Sequence, residues 1–412
     1  MSLGLYISVP FCRTKCSFCN FASGVFSREL FNGYIRHVTA EIERADQLAA
    51  QMGGEFERAV DSVYLGGGTP SVLELQQLSA LFVSIRSNFE VAADAEVTVE
   101  CAPGTLKPEL VETLVGCGVN RVSLGVQSFV DQESRAVGRL HTRVATIEDI
   151  AQLRAAGIAD ISVDLIAGLP HQTEESWRYS LQELIATGVP HASVYMLEVD
   201  EDSRLGRELM AGGTRYHAHF VPDEEATADF YVQACEALDA AGVRQYEISN
   251  FAREGKESRH NLKYWLHQPY MGFGVDAHSM LCAPKAGAPH AAVRFATSDS
   301  LDAALGGAAR TRTDVSERNA IEEAYFLGLR LTRGVELARI AEEFGVDAIE
   351  RYRDAILELN EAGLLEIVEG FLRLTSRGRL LSNEVFERFL YAETEPEVHS
   401  FETQNDSKSH RS

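Results

Sequence analysis

A short apolar run and a cysteine-rich loop lie together in residues 5–19, LYISVPFCRTKCSFC. The first five of these residues are mainly β-branched, aromatic and aliphatic, and they predict a buried strand that ends at Pro10. Cys12, Cys16 and Cys19 follow within eight residues, separated by three and then by two other residues. This stretch therefore predicts a first strand that delivers three thiols to one loop.

The alternation of short β-rich runs with longer helical patterns continues along the chain. The β-rich runs are residues 5–9, 62–65, 96–99, 121–126, 160–165 and 193–197, and helical patterns occupy residues 30–52, 71–88, 107–116, 147–156 and 173–187. Such alternation is typical of an α/β protein with a parallel sheet. Six βα units without the sign of a nucleotide-fold switch point favour a partial (β/α)6 TIM-like barrel over an open sheet.

Residues with functional side chains recur where these predicted strands end. Cys12 follows the first strand and the GGGTP segment at residues 66–70 follows the second. Glu100, Gln127 and Asp164 lie at or near the ends of the third, fourth and fifth strands. Because chemistry in such barrels gathers at the carboxyl ends of the strands, we expect one site to collect these residues.

The sequence suggests four regions. We predict a barrel domain at residues 1–281 and, because residues 282–315 are rich in Ala, Gly, Pro and Asp, an irregular connecting segment there. Residues 316–392 show three helical patterns followed by a hairpin, which predicts a mostly helical, winged-helix-like domain. Residues 393–412 form a polar tail that we expect to be disordered.

Composition and charge restrict the kind of partner. The 412 residues are 45% hydrophobic and 24% charged, as in soluble globular proteins, and the formal net charge is −23. That charge disfavours nucleic acid, and the winged-helix-like region itself has 10 Arg and no Lys against 15 acidic residues. No apolar run approaches the roughly 20 residues that span a bilayer. We therefore predict a cytoplasmic protein that is not an integral membrane protein.

The cysteine cluster indicates a metal or redox site. A closed structural zinc site requires a fourth ligand nearby, and none is evident in the sequence. A cubane of four irons that is held by three cysteines leaves one iron free to take a small ligand. Zinc and a chance grouping of thiols stay open as alternatives at this point.

The spacing of Cys12, Cys16 and Cys19 after a first strand resembles the signature of the radical S-adenosylmethionine (SAM) superfamily. Further motifs that support the resemblance are GGGTP at residues 66–70, GVQSF at 125–129, GRLH at 138–141 and DLIAGLP at 164–170. Together they resemble the oxygen-independent coproporphyrinogen oxidase group. Within that group the chain is most similar to the HemW-type haem chaperones, over residues 5–392.

The resemblance implies a 4Fe–4S cluster on Cys12, Cys16 and Cys19, with SAM on the open iron. The positions that match cofactor-lining residues of the family are Tyr6, Phe18, Gly67, Gly68, Thr69, Glu100, Gln127, Arg139 and Asp164. Among them, the glycines and Thr69 match the contact to the methionine amino group, Glu100 matches the contact to the ribose hydroxyls, and Arg139 matches the contact to the carboxylate. For Tyr6 and Phe18, packing in the core is the alternative.

A second motif concerns haem. Residues 260–265, HNLKYW, match the His-Asn-x-x-Tyr-Trp motif of the haem chaperones. The resemblance implies that His260 ligates haem iron, since imidazole is a good axial ligand, with Tyr264 and Trp265 against the porphyrin face. His267 and His278 are the alternative ligands.

Two functions follow from the resemblance. The oxidase has a further cysteine two residues after the third cluster ligand, where this chain has Phe21, and an N-terminal extension that this chain does not show. These differences favour a chaperone that binds haem and transfers it to an acceptor haem protein, a role that allows a respiratory and membrane-bound acceptor. The alternative is an oxygen-independent coproporphyrinogen III dehydrogenase, a radical SAM enzyme that decarboxylates its substrate oxidatively.

Overall fold

A computed structural model describes residues 1–198, 200–201, 203–284 and 291–390. The predicted disordered tail at residues 393–412 lies outside the described residues. Twelve strands form one sheet in the order β12-β11-β10-β9-β1-β2-β3-β4-β5-β6-β8-β7. These strands are β1 (Leu3–Val9), β2 (Ala59–Gly67), β3 (Glu90–Cys101), β4 (Arg121–Gln127), β5 (Asp160–Ala167), β6 (His191–Met196), β7 (Arg244–Glu247), β8 (Asn250–Ala252), β9 (Tyr270–Phe273), β10 (His278–Cys282), β11 (Ala292–Ala296) and β12 (Thr311–Val315).

Helices connect and cover the strands. Those of the first part are α1 (Glu29–Glu43), α2 (Ala45–Met52), α3 (Leu75–Asn88), α4 (Pro108–Gly116), α5 (Asp131–Ala136), α6 (Arg143–Ala155), α7 (Glu174–Thr187), α8 (Arg204–Met210), α9 (Glu224–Ala240), α10 (Arg259–Trp265) and α11 (Leu301–Leu305), with short 3-10 segments at Pro70–Val72 and Arg215–Phe220. The helical pattern at residues 30–52 is interrupted at Arg44, which separates α1 from α2.

The first six strands confirm the predicted βα repeat. β1 to β6 are neighbours in chain order and pair in parallel, and β9 adds a further parallel strand beside β1. The fold is therefore the partial barrel that the alternation predicts. It places the ends of all six strands, and the loops that follow them, at one edge of the sheet.

Alternate residues along each strand divide between two surfaces. On β1, Leu5 and Ile7 are fully buried in the main hydrophobic core, together with apolar residues of the surrounding helices. Tyr6 lies between them on the opposite surface and is paired in register with Tyr64 of β2. The interior surface is consequently polar and aromatic, whereas the surface under the helices is aliphatic.

The sheet extends further than the sequence predicts. β11 and β12 lie within residues 282–315, where we expected an irregular connection. β11 pairs antiparallel with β10, and β12 pairs antiparallel with β11. Residues 292–296 and 311–315 therefore belong to the main sheet, while residues 285–290 lie outside the described part. The division of the chain into domains stays a prediction.

The last part has its own small sheet and core. Its strands are β13 (Val335–Glu336), β14 (Leu365–Val368) and β15 (Phe371–Leu374), and its helices are α12 (Glu317–Gly328), α13 (Leu337–Phe344), α14 (Asp347–Glu350), α15 (Arg353–Glu361), α16 (Ser376–Leu380) and α17 (Ser382–Leu390). The strands pair in the order β13-β15-β14. Tyr325, Tyr352 and Phe389 pack against one another at its centre, with ring centroids 4.9–5.3 Å apart. Helices followed by a hairpin give the winged-helix-like arrangement that the sequence predicts.

No helix in the described ranges is both long enough and apolar enough to span a membrane.

Candidate functional site

The loop with the three cysteines is fixed from several sides. The Cys12 amide donates to the Gly24 carbonyl at 2.8 Å, and the Ser17 amide donates to the Val137 carbonyl at 3.1 Å. The Ser17 carbonyl accepts from the Leu205 amide at 2.8 Å. Gly138 lies against the backbone of Cys16, where a Cβ would come within 3.8 Å of its Cα atom. Segments after β4 and β6 therefore hold the loop over the carboxyl ends of the strands.

Burial disfavours ionisation of two of the three thiols, Cys12 and Cys16. Burial raises the pKa of Cys12 and of Cys16, and the neighbouring thiols raise it further. The Arg139 guanidinium acts in the opposite direction on both groups, and the Thr69 hydroxyl donates to the Cys12 sulfur at 3.7 Å. Such buried thiols stay neutral without a cation, whereas a bound metal deprotonates them. Three soft donors beside one arginine fit an iron–sulfur cluster.

No group of three or more His, Cys, Asp or Glu side chains within the described ranges is placed to hold a single metal ion. In a four-iron cluster, each cysteine ligates a different iron, so its ligands do not share one ion.

The glycine-rich turn after β2 touches the same loop. The Gly68 amide donates to the Val9 carbonyl and the Thr69 amide donates to the Phe11 carbonyl, both at 2.8 Å. Gly67 has φ of +98°, a conformation that side chains disfavour. A Cβ on Gly68 would lie 2.6 Å from the Val9 carbonyl oxygen. The turn therefore requires glycine in order to pass directly beneath the cysteine loop.

Two carboxylates meet in the interior beside this turn. The carboxyl of Glu100 lies over Gly66 and accepts from the Tyr64 hydroxyl at 2.9 Å. Burial raises its pKa to about 7, and the nearby Asp164 carboxylate adds to the rise. Burial also raises the pKa of Asp164, although the Ser123 hydroxyl lies 3.1 and 3.2 Å from its two oxygens. The pair forms an acceptor-rich wall that suits ribose hydroxyls or an ammonium group.

The raised pKa of Glu100 predicts a pH effect on stability without SAM. Between pH 4.5 and about 7 the folded protein holds a proton that the unfolded chain has released, so stability falls as pH rises through this window. Glu100→Gln should remove this loss. The drop in unfolding free energy from pH 5 to pH 8 should be smaller than in the wild type by on the order of 1–3 kcal/mol. Urea denaturation at both pH values measures the change in unfolding free energy. The same pH dependence in the wild type and in Glu100→Gln would contradict the buried position of the Glu100 carboxyl.

Gln127 is the last residue of β4, and Arg139 follows α5 with its guanidinium over Gly125 of β4. The Arg139 guanidinium lowers the pKa of Glu100 and of Asp164. Its buried Nε atom has no hydrogen-bond partner among the described residues. Gln127 has φ of +68°, an unusual value for a residue with a side chain, and a break in strand register occurs beside it. Strained backbone of this kind clusters at functional sites.

The two predicted aromatic positions differ. Tyr6 lies in the interior, where its ring stacks with that of Tyr64 at a centroid distance of 6.0 Å. Phe18 packs against Val137, Ile166 and Leu169, a small apolar cluster near the end of β5. The observed contacts of Phe18 are therefore packing contacts, whereas the Tyr6 hydroxyl lies against Gly67 of the glycine turn.

The HNLKYW motif forms α10 at the opposite end of the barrel interior. The His260 amide donates to Glu96 at 3.0 Å, and Lys263 pairs with Asp61 at 2.7 Å near the start of β2. His260 is 1% exposed, and the Trp265 ring lies 4.3 Å from the Arg330 guanidinium. The motif thus closes the amino-terminal end of the barrel.

The structure places several predicted positions near the cysteine loop. Gly68 and Thr69 bond to the backbone of that loop and of β1, Glu100 lies over Gly66, and the Arg139 guanidinium lies over Gly125, whereas His260 is enclosed by Ser62 and Tyr264. The residues that sequence reasoning missed are Tyr64 and Ser123, which hydrogen-bond Glu100 and Asp164. Tyr64 is two residues before the glycine turn, so the period of two along β2 places it on the same surface and was the signal available.

A three-thiol loop after the first strand of a partial β/α barrel defines a radical SAM protein. The sequence profile of the Radical SAM superfamily matches residues 6–184, and that of the HemN C-terminal domain matches residues 315–381. The Heme chaperone HemW of Bacillus subtilis is 34% identical over 386 residues, which cover 93% of this chain and 98% of that protein. Its namesake in Lactococcus lactis is 32% identical over 389 residues, with 93% and 96% covered. The chain therefore belongs to the HemW family.

A solved structure supports the fold along almost the whole chain. Coproporphyrinogen III oxidase (HemN) from Escherichia coli, a radical SAM enzyme, superposes with a TM-score of 0.79. The alignment covers 94% of this chain and 90% of the oxidase at 24% identity. This likeness shows the shared fold. Membership of the superfamily implies a 4Fe–4S cluster and SAM.

Proposed function

We propose that the protein is a haem chaperone, which binds haem and transfers it to an acceptor haem protein while carrying a 4Fe–4S cluster with exchangeable SAM. The family relationship supports the haem role, because the relatives that align over nearly their whole length are named heme chaperones. We also propose a cytoplasmic location and allow a respiratory, membrane-bound acceptor.

The observation that carries the proposal is an open cavity beside the glycine turn. Its volume is about 380 Å³, which is within the usual range for small-molecule sites. The residues that line it are Tyr6, Ser8, Phe21, Ala22, Gly67, Tyr264, Tyr270, Asp276 and His278. Aromatic side chains suit the flat face of a porphyrin. Phe21 is 63% exposed at this cavity, at the position where the oxidase has its further cysteine.

The cluster and SAM would be held by residues that converge at the cysteine loop. Cys12, Cys16 and Cys19 would ligate three irons, and the bound cluster would supply one-electron chemistry to SAM. Arg139 is placed to pair with a carboxylate, and its unpartnered Nε atom is available for that contact. Glu100 would accept from ribose hydroxyls, a role that its interior position next to Gly66 supports.

Haem uptake and porphyrinogen turnover separate this proposal from the dehydrogenase alternative. The protein is purified without oxygen, reconstituted with iron and sulfide, and given either haem or coproporphyrinogen III with SAM and a reductant. We expect stoichiometric haem binding and no protoporphyrinogen IX. Rapid formation of protoporphyrinogen IX would contradict the chaperone function. E. coli HemN, assayed in parallel, is the positive control for turnover.

A further inference from the structure

His260 has no ring nitrogen open to a metal. Its Nδ1 atom is 3.0 Å from the Ser62 hydroxyl, and its Nε2 atom is 2.9 Å from the Tyr264 hydroxyl. The ring also packs against the rings of Tyr6 and Tyr64, at centroid distances of 6.3 and 5.3 Å. Ligation of haem iron by His260 would require this buried ring to give up at least one of the two hydrogen bonds. The two hydrogen bonds instead assign this residue a structural role.

The His267 ring is also held by a neighbouring side chain. Its Nε2 atom lies 2.6 Å from the Glu323 carboxylate, and Arg294 binds the same carboxylate at 2.6 Å. The His267 side chain is largely buried in this network and does not line the cavity beside the glycine turn. A haem ligand at this position would break a compact set of ion pairs.

His278, in contrast, is exposed to solvent and has an open ring nitrogen. It is the first residue of β10, its side chain is 68% exposed, and it lines the cavity together with Tyr264 and Tyr270. Its Nε2 atom lies 3.6 Å from the Asp276 carboxylate, and no hydrogen bond to its Nδ1 atom is found among the residues that the structure describes. One nitrogen therefore faces a carboxylate while the other is open. Metal-ligating histidines usually direct their other ring nitrogen at a carboxylate, and Asp276 is the carboxylate that Nε2 faces here, at a separation longer than a hydrogen bond.

We propose that His278 is the axial ligand of the haem iron and that the cavity beside the glycine turn holds the porphyrin. The inference rests on the proposed haem function and names its site. Phe21 at the rim and Tyr264 and Tyr270 on the wall would contact the macrocycle. An exposed ligand also suits transfer, because an acceptor protein can approach the iron without unfolding the donor.

The test is a haem titration of the reconstituted protein, followed by absorption and EPR spectroscopy. His278→Ala should weaken haem binding at least about 10-fold, since even loss of a residue that supports a metal ligand costs roughly 10–100-fold. His278→Cys should restore binding and give the spectrum of a thiolate-ligated haem, which a merely structural role would not produce. His219→Ala, at an exposed histidine that does not line this cavity, should behave as the wild type.

Two outcomes would overturn the assignment. His278→Ala with wild-type affinity and spectrum would place the ligand elsewhere, as would an unchanged spectrum in His278→Cys. A wild-type protein that binds no haem would instead contradict the proposed function itself, so the two failures are distinguishable. Because His278 is exposed at the start of its strand, both variants should fold, and thermal unfolding checks this directly.

Discussion

Cys16→Ser should lose nearly all of its cluster iron and sulfide. Cys16 is buried, and its backbone is fixed by Gly138 and by the hydrogen bond from the next residue to Val137, so no other thiol can move into its place. A serine hydroxyl is a poor ligand for iron compared with a thiolate. We expect cluster content to fall at least about 10-fold, because loss of a residue that only supports a metal ligand already costs roughly 10–100-fold in metal affinity.

Iron and sulfide analysis with the charge-transfer absorption of the cluster measures this loss. Cys117→Ser is the matched control, because Cys117 is a partly buried thiol at the end of α4 that lies outside the cysteine loop. Full cluster content in Cys16→Ser would show that the three-cysteine assignment is incorrect. Loss in both variants would point to a general effect of thiol removal.

Gly68→Ala should damage both stability and cofactor binding. The added Cβ would lie 2.6 Å from the Val9 carbonyl oxygen and 2.9 Å from the Phe11 carbonyl oxygen. These are backbone atoms, so a change of side-chain rotamer cannot relieve the contact, and the turn must separate from the cysteine loop. Overpacking of this kind costs about 1–3 kcal/mol. We also expect SAM affinity to fall at least about 10-fold as the binding surface is displaced.

Chemical denaturation and SAM titration of the anaerobic protein check this expectation. Gly33→Ala is the control, because Gly33 lies within α1 and a Cβ there would meet nothing within 4 Å. Alanine in a helix interior stabilises by roughly 0.5–1 kcal/mol, so the two substitutions should have opposite signs. A Gly68→Ala protein with wild-type stability and SAM affinity would contradict the close approach of the turn to the loop.

The βα repeat could be predicted because its signal is local. Each of the six parallel strands carries aliphatic residues at alternate positions, under the helices, and all but the last are followed by a helix of sufficient length. The strands at residues 292–296 and 311–315 escaped prediction because AVRFA and TRTDV are five-residue runs in a segment rich in Ala and Gly. Their strand conformation depends on pairing of β11 with β10 and of β12 with β11, contacts that the sequence does not display.

The sequence predicts which residues lie at the strand ends better than it predicts which side chains contact one another. Strand ends identify Glu100 and Asp164, because parallel strands bring their carboxyl ends to one edge. The support of Tyr64 for Glu100 depends on register between β2 and β3, which requires the folded sheet. The haem motif shows a further limit. Sequence alone cannot distinguish an open imidazole from one such as His260 that is enclosed by two hydroxyls.

The two motifs therefore lie at opposite ends of the barrel. At the carboxyl end, the cysteine loop, the glycine turn and Arg139 converge on one space. At the amino end, Glu96 accepts from the His260 amide and Asp61 pairs with Lys263, so α10 is anchored to β2 and β3. The cavity that His278 lines lies beside the glycine turn. Haem and SAM would share its wall at Tyr6 and Gly67.

The most direct test of a cluster with an open iron is EPR spectroscopy of the reduced, oxygen-free protein before and after addition of SAM, with metal analysis of the same sample. We expect iron and sulfide in a 4Fe–4S signal that changes when SAM is added, because the nucleotide would coordinate the iron that lacks a cysteine. Stoichiometric zinc, or a cluster signal that SAM leaves unchanged, would contradict the proposal.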